Sequence, residues 1–192
     1  PVGTSTLFLG TTAGQLFKAE NAQDIPQTTN IGSPDFPNSS ISCVAIGDSE
    51  DVLLVTFSNY GVSSVWLTTD GGESWEEKES NLPDMPVRWA LFHPDNNEQV
   101  ILATETGIWA TNTLFENEPE WSPANEGMAN VRVDMLKIRA GDNIVLAASH
   151  GRGLFTAEYV LDIYTGEEEH NLQLDEIAIY PNPVSDVLNI RS

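Results

Sequence analysis

The chain has 192 residues, 40% of them hydrophobic, and its 29 acidic and 8 basic side chains give a formal net charge of −21 at pH 7. This acidity argues against nucleic acid as a partner, because phosphate binding requires a field of the opposite sign. No run of about eighteen apolar residues occurs, so no membrane span is predicted. We expect neither a cofactor nor a metal ion, since the sequence contains no phosphate loop and no Cys/His metal spacing.

The predicted strands recur with a fixed period. Apolar strands at 41–46, 87–92 and 133–138 begin 46 residues apart, and each is followed by a polar turn and a second apolar strand. A glycine-bearing turn then leads to an aliphatic-aromatic pair, and the four pairs are Leu16-Phe17, Val65-Trp66, Ile108-Trp109 and Leu154-Phe155. Units of about 40 to 50 residues made of short strands are typical of radially arranged four-stranded sheets. The sequence therefore predicts an all-β fold, specifically a β-propeller segment.

The repeat assigns residues 1–160 to a partial propeller of about three and a half blades. The expected blades are residues 6–38, which lack a first strand, the complete units 41–86 and 87–132, and a partial unit, 133–160. Closed rings usually have roughly four to eight blades, so we expect further blades before Pro1, the alternative being that the partial blades together close a small ring. Cys43, the lone cysteine, falls in a first strand and is expected to be a small buried hydrophobe rather than a nucleophile.

One sharp local motif lies in the turn after the third strand of the 41–86 unit. Its sequence, Thr68-Thr69-Asp70-Gly71-Gly72-Glu73-Ser74-Trp75, resembles the Asp-box, Ser/Thr-x-Asp-x-Gly-x-Ser/Thr-Trp, of sialidase-like, sortilin-like and xyloglucanase-like propellers. The resemblance implies the same fold, with Thr68, Asp70, Gly72, Ser74 and Trp75 as structural residues. We expect Asp70 to stabilise the turn rather than to act in catalysis, because a short carboxylate accepts backbone N–H bonds. In the next unit the box has decayed to Thr111-Asn112-Thr113, although Trp121 keeps the closing position.

Propeller topology also predicts where a ligand binds. Loops between second and third strands share one face with the connections into the next blade, and loops on a rigid scaffold commonly carry binding groups. The candidates on this face are Asn59, Tyr60, Asp84, Glu105, Asn125, Glu126, His150 and Arg152. Residues expected on the opposite face are Asp48, Asp70, His93 and Asp95.

Three functions are compatible with this pattern. We favour a binding or adhesion module for a glycan, another extracellular polymer or a protein ligand. A glycoside hydrolase needs two carboxylates about 5 to 9.5 Å apart, and Asp84, Glu105 and Glu126 are available without any pattern that selects a pair. A sialidase-like site would need clustered arginines, and the expectation is that Arg88, Arg132, Arg139 and Arg152 are too scattered. A structural spacer is the third possibility.

The C-terminal part has a different character. Between Glu158 and Asp186 there are eight acidic residues and no Lys or Arg, which predicts an acidic, solvated linker over 161–174. The following Tyr180-Pro181-Asn182-Pro183, flanked by apolar strands, resembles the opening of the type A C-terminal sorting domain of type IX secretion, the alternative being an ordinary edge hairpin. The resemblance implies that residues 175–192 begin a truncated β-sandwich sorting domain. It also implies the type IX machinery as a partner, and a secreted or outer-surface location in a Gram-negative bacterium.

Overall fold

The computed structural model describes residues 5–139 and 141–160, together with the backbone of residues 178–180 and 189–191. All regular secondary structure in these residues is β-strand, which confirms the all-β prediction. Among the same residues, no helix could cross a membrane. The chain forms two compact units, Pro1–Asp162 and Ile163–Ser192.

The first unit contains four antiparallel sheets, and within each sheet consecutive strands are neighbours. Sheet 1 comprises β1 (Leu7–Gly10), β2 (Leu16–Glu20) and β3 (Gln27–Asn30). Sheet 2 comprises β4 (Ile41–Ile46), β5 (Leu53–Phe57), β6 (Val65–Thr68) and β7 (Glu76–Glu77). Sheet 3 comprises β8 (Val87–His93), β9 (Asn96–Thr104), β10 (Gly107–Thr111) and β11 (Ser122–Pro123). Sheet 4 comprises β12 (Val133–Arg139), β13 (Ile144–Ser149) and β14 (Gly153–Glu158).

The sequence repeat is also a repeat of strand register. Trp66 of β6 lies opposite Val55 of β5, and Trp109 of β10 lies opposite Leu102 of β9. Val55 in turn pairs with Val44 of β4, and Leu102 pairs with Ala90 of β8. Ala90 lies 46 positions after Val44 in the chain. The two tryptophans, which belong to the repeated aliphatic-aromatic pairs, therefore occupy equivalent positions, as the sequence repeat predicts.

Sheet 1 has the geometry of a sheet without its first strand. The N–H of Thr11, directly after β1, bonds to Gln15 O in the same way that the N–H of Phe57, the last residue of β5, bonds to Ser64 O. β1 also contacts β4 of the next sheet, as β5 contacts β8 and β9 contacts β12. Leu7 and Leu9 of β1 are 53% and 48% exposed, whereas the equivalent residues of β5, Leu53 and Val55, are fully buried.

The hydrophobic core lies between successive sheets. Between sheets 1 and 2, Leu16 packs with Val55, Phe57 and Trp66, and the ring of Phe36 makes an edge contact with Trp66 at a centroid distance of 5.3 Å. A second cluster lies between sheets 2 and 3 and a third between sheets 3 and 4. Such face-to-face packing arises because alternate side chains of each strand point to opposite sides of the sheet.

A β-bulge recurs at the start of each first strand in sheets 2, 3 and 4. The strand register shifts between residues 41 and 43 in β4, between 87 and 89 in β8, and between 133 and 135 in β12. The extra residues are therefore Ser42, Arg88 and Asp134, again 46 positions apart. Because a bulge redirects the side chain of its extra residue, this repeat places three polar side chains at one end of the first strands.

The described residues of the second unit form an antiparallel strand pair, β15 (Ala178–Tyr180) and β16 (Asn189–Arg191), in which Ile179 lies opposite Ile190. These strands flank the predicted Pro181-Asn182-Pro183 turn. The turn itself and the predicted linker over 161–174 lie outside the described residues. The sorting domain therefore stays a prediction.

Candidate functional site

The bulges and the neighbouring turns assemble a cluster of charged side chains across sheets 3 and 4. Arg88 is the bulge residue of β8, Asp134 is that of β12, and Arg132 directly precedes β12. Glu105 lies in the turn between β9 and β10, and His150 in the turn between β13 and β14. We call these five residues the bulge cluster. Two of them, Glu105 and His150, were predicted from the sequence as members of the ligand face.

Asp134 is the centre of the bulge cluster. Its Oδ1 accepts a hydrogen bond from Arg132 Nε at 2.6 Å and lies 3.9 Å from Arg88 Nε. Its Oδ2 lies 3.4 Å from His150 Nδ1. Partial burial alone would raise the pKa of Asp134, but the hydrogen bond and charge of Arg132, helped by His150 and Arg88, hold that pKa below its usual range. The carboxylate is therefore kept ionised.

Arg88 connects the two sheets. Its Nε and Nη2 donate to the same oxygen of Glu105, Oε2, at 3.1 and 2.7 Å, while Nε also faces Asp134. The side chain of Arg88 is 24% exposed and that of Glu105 is 30% exposed. Ion pairs at this depth are screened less than surface pairs. Arg88 therefore links the turn that carries Glu105 to Asp134 in the first strand of sheet 4.

The expectation that the arginines are scattered is wrong for two of them. Arg88 and Arg132, 44 positions apart in the chain, meet at Asp134 because their strands are neighbouring first strands. Arg139 is elsewhere, since it pairs with Asp142 in the turn between β12 and β13, at the other end of β12. The sequence did contain a signal for this cluster, namely the 46-residue spacing of residues 88 and 134, but a bulge cannot be read from spacing alone.

Three other predicted ligand-face residues support loops. Asn59 Oδ1 accepts a hydrogen bond from the N–H of Ser40 at 2.9 Å, and Asp84 Oδ1 accepts one from the N–H of Gly61 at 2.7 Å. In the next sheet, Asn125 Oδ1 accepts one from the N–H of Ile108 at 2.6 Å. These polar side chains are directed at backbone groups. Asn59 thereby ties the turn after β5 to the connection that enters sheet 2, and Asp84 ties the same turn to the connection that enters sheet 3. Asn125 ties the start of β10 to the connection that enters sheet 4.

The remaining candidates on this face are exposed. Tyr60 is 62% exposed, and Glu126 and Arg152 are also exposed. The neighbours of Tyr60 are both fixed, Asn59 by its bond to Ser40 and Gly61 by its bond to Asp84. Tyr60 is therefore an exposed aromatic ring on a well-supported turn.

A cavity of about 360 Å³ adjoins this turn. It is lined by Gly61, Val62, Ser63, Glu77, Glu79, Ser80, Leu82 and Asp84. Burial raises the pKa of Glu79, against the hydrogen bond that its Oε2 accepts from the N–H of Ser64, and the nearby charges of Glu77 and Asp84 raise it further. In the described part of the chain, no three acidic, His or Cys side chains are placed to hold a metal ion.

The turn between β6 and β7 lies at the opposite end of the sheets. Asp70 Oδ1 accepts hydrogen bonds from the Ser74 N–H at 2.9 Å and from the Thr68 hydroxyl at 2.7 Å, and Oδ2 accepts one from the Ser74 hydroxyl. These hydrogen bonds lower the pKa of Asp70 to about 2, and the bond from the Ser74 hydroxyl makes the largest contribution. The Gly72 N–H bonds to the Thr68 hydroxyl, and φ at Gly72 is positive. Trp75 Nε1 donates to Ile31 O of the preceding connection at 2.7 Å. All of these contacts of Asp70 lie within its own turn.

Two further side chains that could carry chemistry are engaged structurally. His93 is buried, its Nδ1 accepts from the N–H of Asp95, and its Nε2 lies 3.2 Å from Tyr159 O. The second nitrogen therefore carries the proton and donates it to the carbonyl. Cys43 is buried in β4, and burial raises its pKa to about 11, so its thiol is held protonated.

No protein-family model matches the sequence, and no curated protein matches it. Among solved structures, the β-propeller domain of Myceliophteria thermophila Cps50 (Swd1) is 15% identical with a TM-score of 0.58, over 81% of this chain and 49% of that one. YCF48 bound to D1 peptide is 19% identical with a TM-score of 0.52, over 83% and 52%. A Niastella koreensis GH74 enzyme is 17% identical over 77% and 24%, but its TM-score of 0.48 supports no argument.

The chain thus spans about half the length of the first and the second of these structures. At this level of identity the likeness concerns the fold alone. Together with the four antiparallel sheets and their repeated register, it shows that the first unit has a β-propeller fold.

Proposed function

We propose that this chain belongs to a secreted β-propeller that binds a glycan or another extracellular polymer on the face formed by the bulge cluster and Tyr60. The observation that carries the proposal is the repeated bulge. It directs Arg88 and Asp134 to one end of neighbouring first strands, where turns from two sheets add Glu105 and His150. Bulges are often found beside binding and active sites, where they aim a side chain at a ligand.

The chemistry of the bulge cluster favours binding over catalysis. Both of its carboxylates are ion-paired, Glu105 with Arg88 and Asp134 with Arg132. The pKa of Asp134 is lowered, so this group is a poor general acid at neutral pH. Fixed charges at the same end of the sheets as an exposed ring on a supported turn suit recognition instead, because little conformational freedom is lost when a ligand binds.

Binding is tested directly with the chain and soluble polymers. Xyloglucan serves as a neutral probe and polygalacturonate as an anionic one, with affinities measured by titration calorimetry. We expect at least one polymer to bind, and Tyr60→Ala to weaken that binding by about tenfold, as expected when an aromatic anchor is removed. The matched control is Ile25→Ala, because Ile25 is also exposed, at 77%, but lies in the turn between β2 and β3 at the opposite end of the sheets. Equal losses in both variants, or no binding at all, would contradict the proposal.

Export through the type IX system is supported by the Tyr180-Pro181-Asn182-Pro183 resemblance. It is tested by fusing a reporter to the C-terminal region, with the complete tail of the parent protein, in a type IX-competent cell. We expect the reporter outside the cell, and less of it when Pro181 and Pro183 are replaced by Ala. A reporter that reaches the medium equally well from a type IX-deficient cell would remove this part of the proposal.

A glycoside hydrolase is the second candidate, because Glu79 and Asp84 line one cavity. The raised pKa of Glu79 suits a general acid that protonates the leaving oxygen, and Asp84 supplies the second carboxyl group that glycoside hydrolysis requires. Release of reducing sugar from xyloglucan, abolished by Glu79→Gln, would establish this activity. Binding of xyloglucan without any release of sugar would exclude it for this chain and substrate.

A further inference from the structure

We propose that the bulge cluster, with the adjacent Arg152, binds an oxyanion, so that the ligand is an anionic polysaccharide carrying carboxylate or sulfate groups. This inference rests on the proposed function and gives it a ligand class. Three features of the cluster support it, namely hydrogen-bond donors without partners among the described residues, a local excess of positive charge, and the fixed orientation of Arg132.

Donors exceed acceptors in the bulge cluster. Arg132 donates through Nε to Asp134, and its Nη1 and Nη2 make no hydrogen bond to any described residue. Arg88 uses Nε and Nη2 on Glu105, which leaves its Nη1 without a partner within the same set of residues. The acceptors are more fully used, since both oxygens of Asp134 and Oε2 of Glu105 are already engaged. A ligand that completes this arrangement must therefore supply acceptors.

Arg152 adds further donors to the same face. It follows His150 by two residues in the turn between β13 and β14, where it is exposed. Among the residues that the structure describes, Arg152 has no hydrogen-bond or ion-pair partner. The turn itself is closed by a bond from the Ser149 hydroxyl to Gly153 O at 2.7 Å. A guanidinium is thus presented to solvent from the turn that also carries His150 of the bulge cluster.

The local charge differs in sign from the charge of the chain. The bulge cluster and Arg152 together contain three guanidinium groups and two carboxylates, those of Glu105 and Asp134, which leaves one positive charge in excess within this set. The whole chain carries −21 and only 8 basic residues, so three of these eight lie at this place. The acidic remainder of the surface repels polyanions in general, and an anionic ligand is attracted only where this excess is exposed.

The ion pair with Asp134 fixes the orientation of Arg132. With Nε held at 2.6 Å and the side chain only 34% exposed, the two Nη groups form a positioned fork. Planar forks of this kind bind carboxylate and sulfate oxygens through two parallel hydrogen bonds. An ammonium or a neutral hydroxyl of a ligand could not use these donors as well, because the first is itself a donor and the second lacks charge.

The experiment measures the affinity of the chain for polygalacturonate, dextran sulfate and neutral dextran. We expect binding to at least one of the two charged polymers and none to dextran, and the better of the two identifies carboxylate or sulfate as the group recognised. Arg132→Gln should weaken this binding by about tenfold or more, as for a lost hydrogen bond between charged groups, and Arg152→Gln by several-fold. Far-ultraviolet circular dichroism checks that each variant is folded, and the exposed Arg152 provides the test should Arg132→Gln not fold.

Arg139→Gln is the matched control, because Arg139 is an arginine of sheet 4 whose ion pair with Asp142 lies at the other end of β12. We expect this variant to bind as the wild-type chain does. An equal loss in Arg139→Gln and Arg152→Gln would show non-specific attraction and overturn the inference. Equally tight binding of single-stranded DNA would do the same. Tight binding of xyloglucan that is unaffected by Arg152→Gln would overturn the anionic ligand while leaving the proposed function intact, and absence of binding to every polymer would overturn both.

Discussion

Two equivalent turns of this protein end in the same way but are built differently. In the turn between β6 and β7, Trp75 Nε1 donates to Ile31 O in the connection before sheet 2. In the turn between β10 and β11, Trp121 Nε1 donates to Lys78 O in the connection before sheet 3, at 2.9 Å. The interior of the first turn is organised by Asp70, whereas in the second turn the Thr113 hydroxyl accepts from the N–H of Glu120.

The difference indicates which part of the turn the fold depends on. The hydrogen bond from the tryptophan to the preceding connection is present in both turns. The side chain that organises the interior differs, since it is Asp70 in the first turn and Thr113 in the second. Trp121 is also held by Asn81, whose Oδ1 accepts from its N–H at 2.8 Å and whose Nδ2 donates to its carbonyl at 2.9 Å. We infer that the tryptophan contributes more to stability than the acidic residue does, because its contacts join two sheets and those of Asp70 stay within one turn.

The largest effect is expected for Trp121→Ala. Trp121 is 1% exposed and packs in the core between sheets 2 and 3, so its removal should lower the free energy of unfolding by about 3 to 5 kcal/mol. Trp121→Phe keeps most of the apolar contact but leaves Lys78 O without its donor, which should cost about 1 to 3 kcal/mol. Urea denaturation followed by circular dichroism measures both values. Equal losses of unfolding free energy in the two variants would show that the hydrogen bond to Lys78 O, and not the packing of the ring, accounts for the contribution of Trp121.

Trp75→Ala is expected to have a smaller effect than Trp121→Ala. Trp75 is only partly buried, although it contacts Phe36 at a ring-centroid distance of 4.9 Å and bonds to Ile31 O. Because less apolar surface is lost, we expect about 2 to 3 kcal/mol in the same urea experiment. A loss as large as that of Trp121→Ala would mean that the two turns contribute equally despite their different burial.

Asp70→Ala should cost less again, about 1 kcal/mol, because its hydrogen bonds are exposed and compete with water. Affinity for any bound polymer should not change, since the turn lies at the opposite end of the sheets from the bulge cluster. Asp48→Ala is the control, because Asp48 is an exposed acidic residue near the same end of sheet 2. A loss of binding in Asp70→Ala with unchanged stability would reverse the structural interpretation of this turn.

The smallest effect concerns pH. The pKa of Asp70 is lowered from 3.8 to about 2 in the folded protein, chiefly by the Ser74 hydroxyl, so the ionised form stabilises the fold. This contribution is fully present above the unfolded value and is lost as pH falls from about 4 to about 2. The difference in unfolding free energy between the wild-type chain and Asp70→Asn should therefore shrink over that interval. A difference that stays constant across it would show that the carboxylate is not stabilised by folding.

Much of the fold could be predicted because strand patterns are local and the repeat multiplies the evidence. The spacing of residues 41, 87 and 133 located the first strands, and the glycine before each aliphatic-aromatic pair located the third strands. The equivalence of Trp66 and Trp109 followed from the same alignment. These predictions depend only on side-chain alternation and turn residues close together in the chain.

The candidate site was predicted only in part. Topology placed Glu105 and His150 on the ligand face, but the partners that determine their roles, Arg88 and Asp134, lie in strands and were not among the candidates. Asn59, Asp84 and Asn125 were expected to face a ligand and instead accept hydrogen bonds from backbone N–H groups, 17 to 23 positions away along the chain. Sequence shows that such side chains are polar, but not which distant backbone group they satisfy.

By itself the sequence determined that the chain is all-β and repeats every 46 residues, since alternation and turn chemistry are properties of short segments. It also determined the acidity that disfavours nucleic acid. Only the tertiary structure decided that Arg88 and Arg132 meet at Asp134. That meeting requires two bulges in neighbouring first strands, and the bulges become visible only when each strand is paired with its partner.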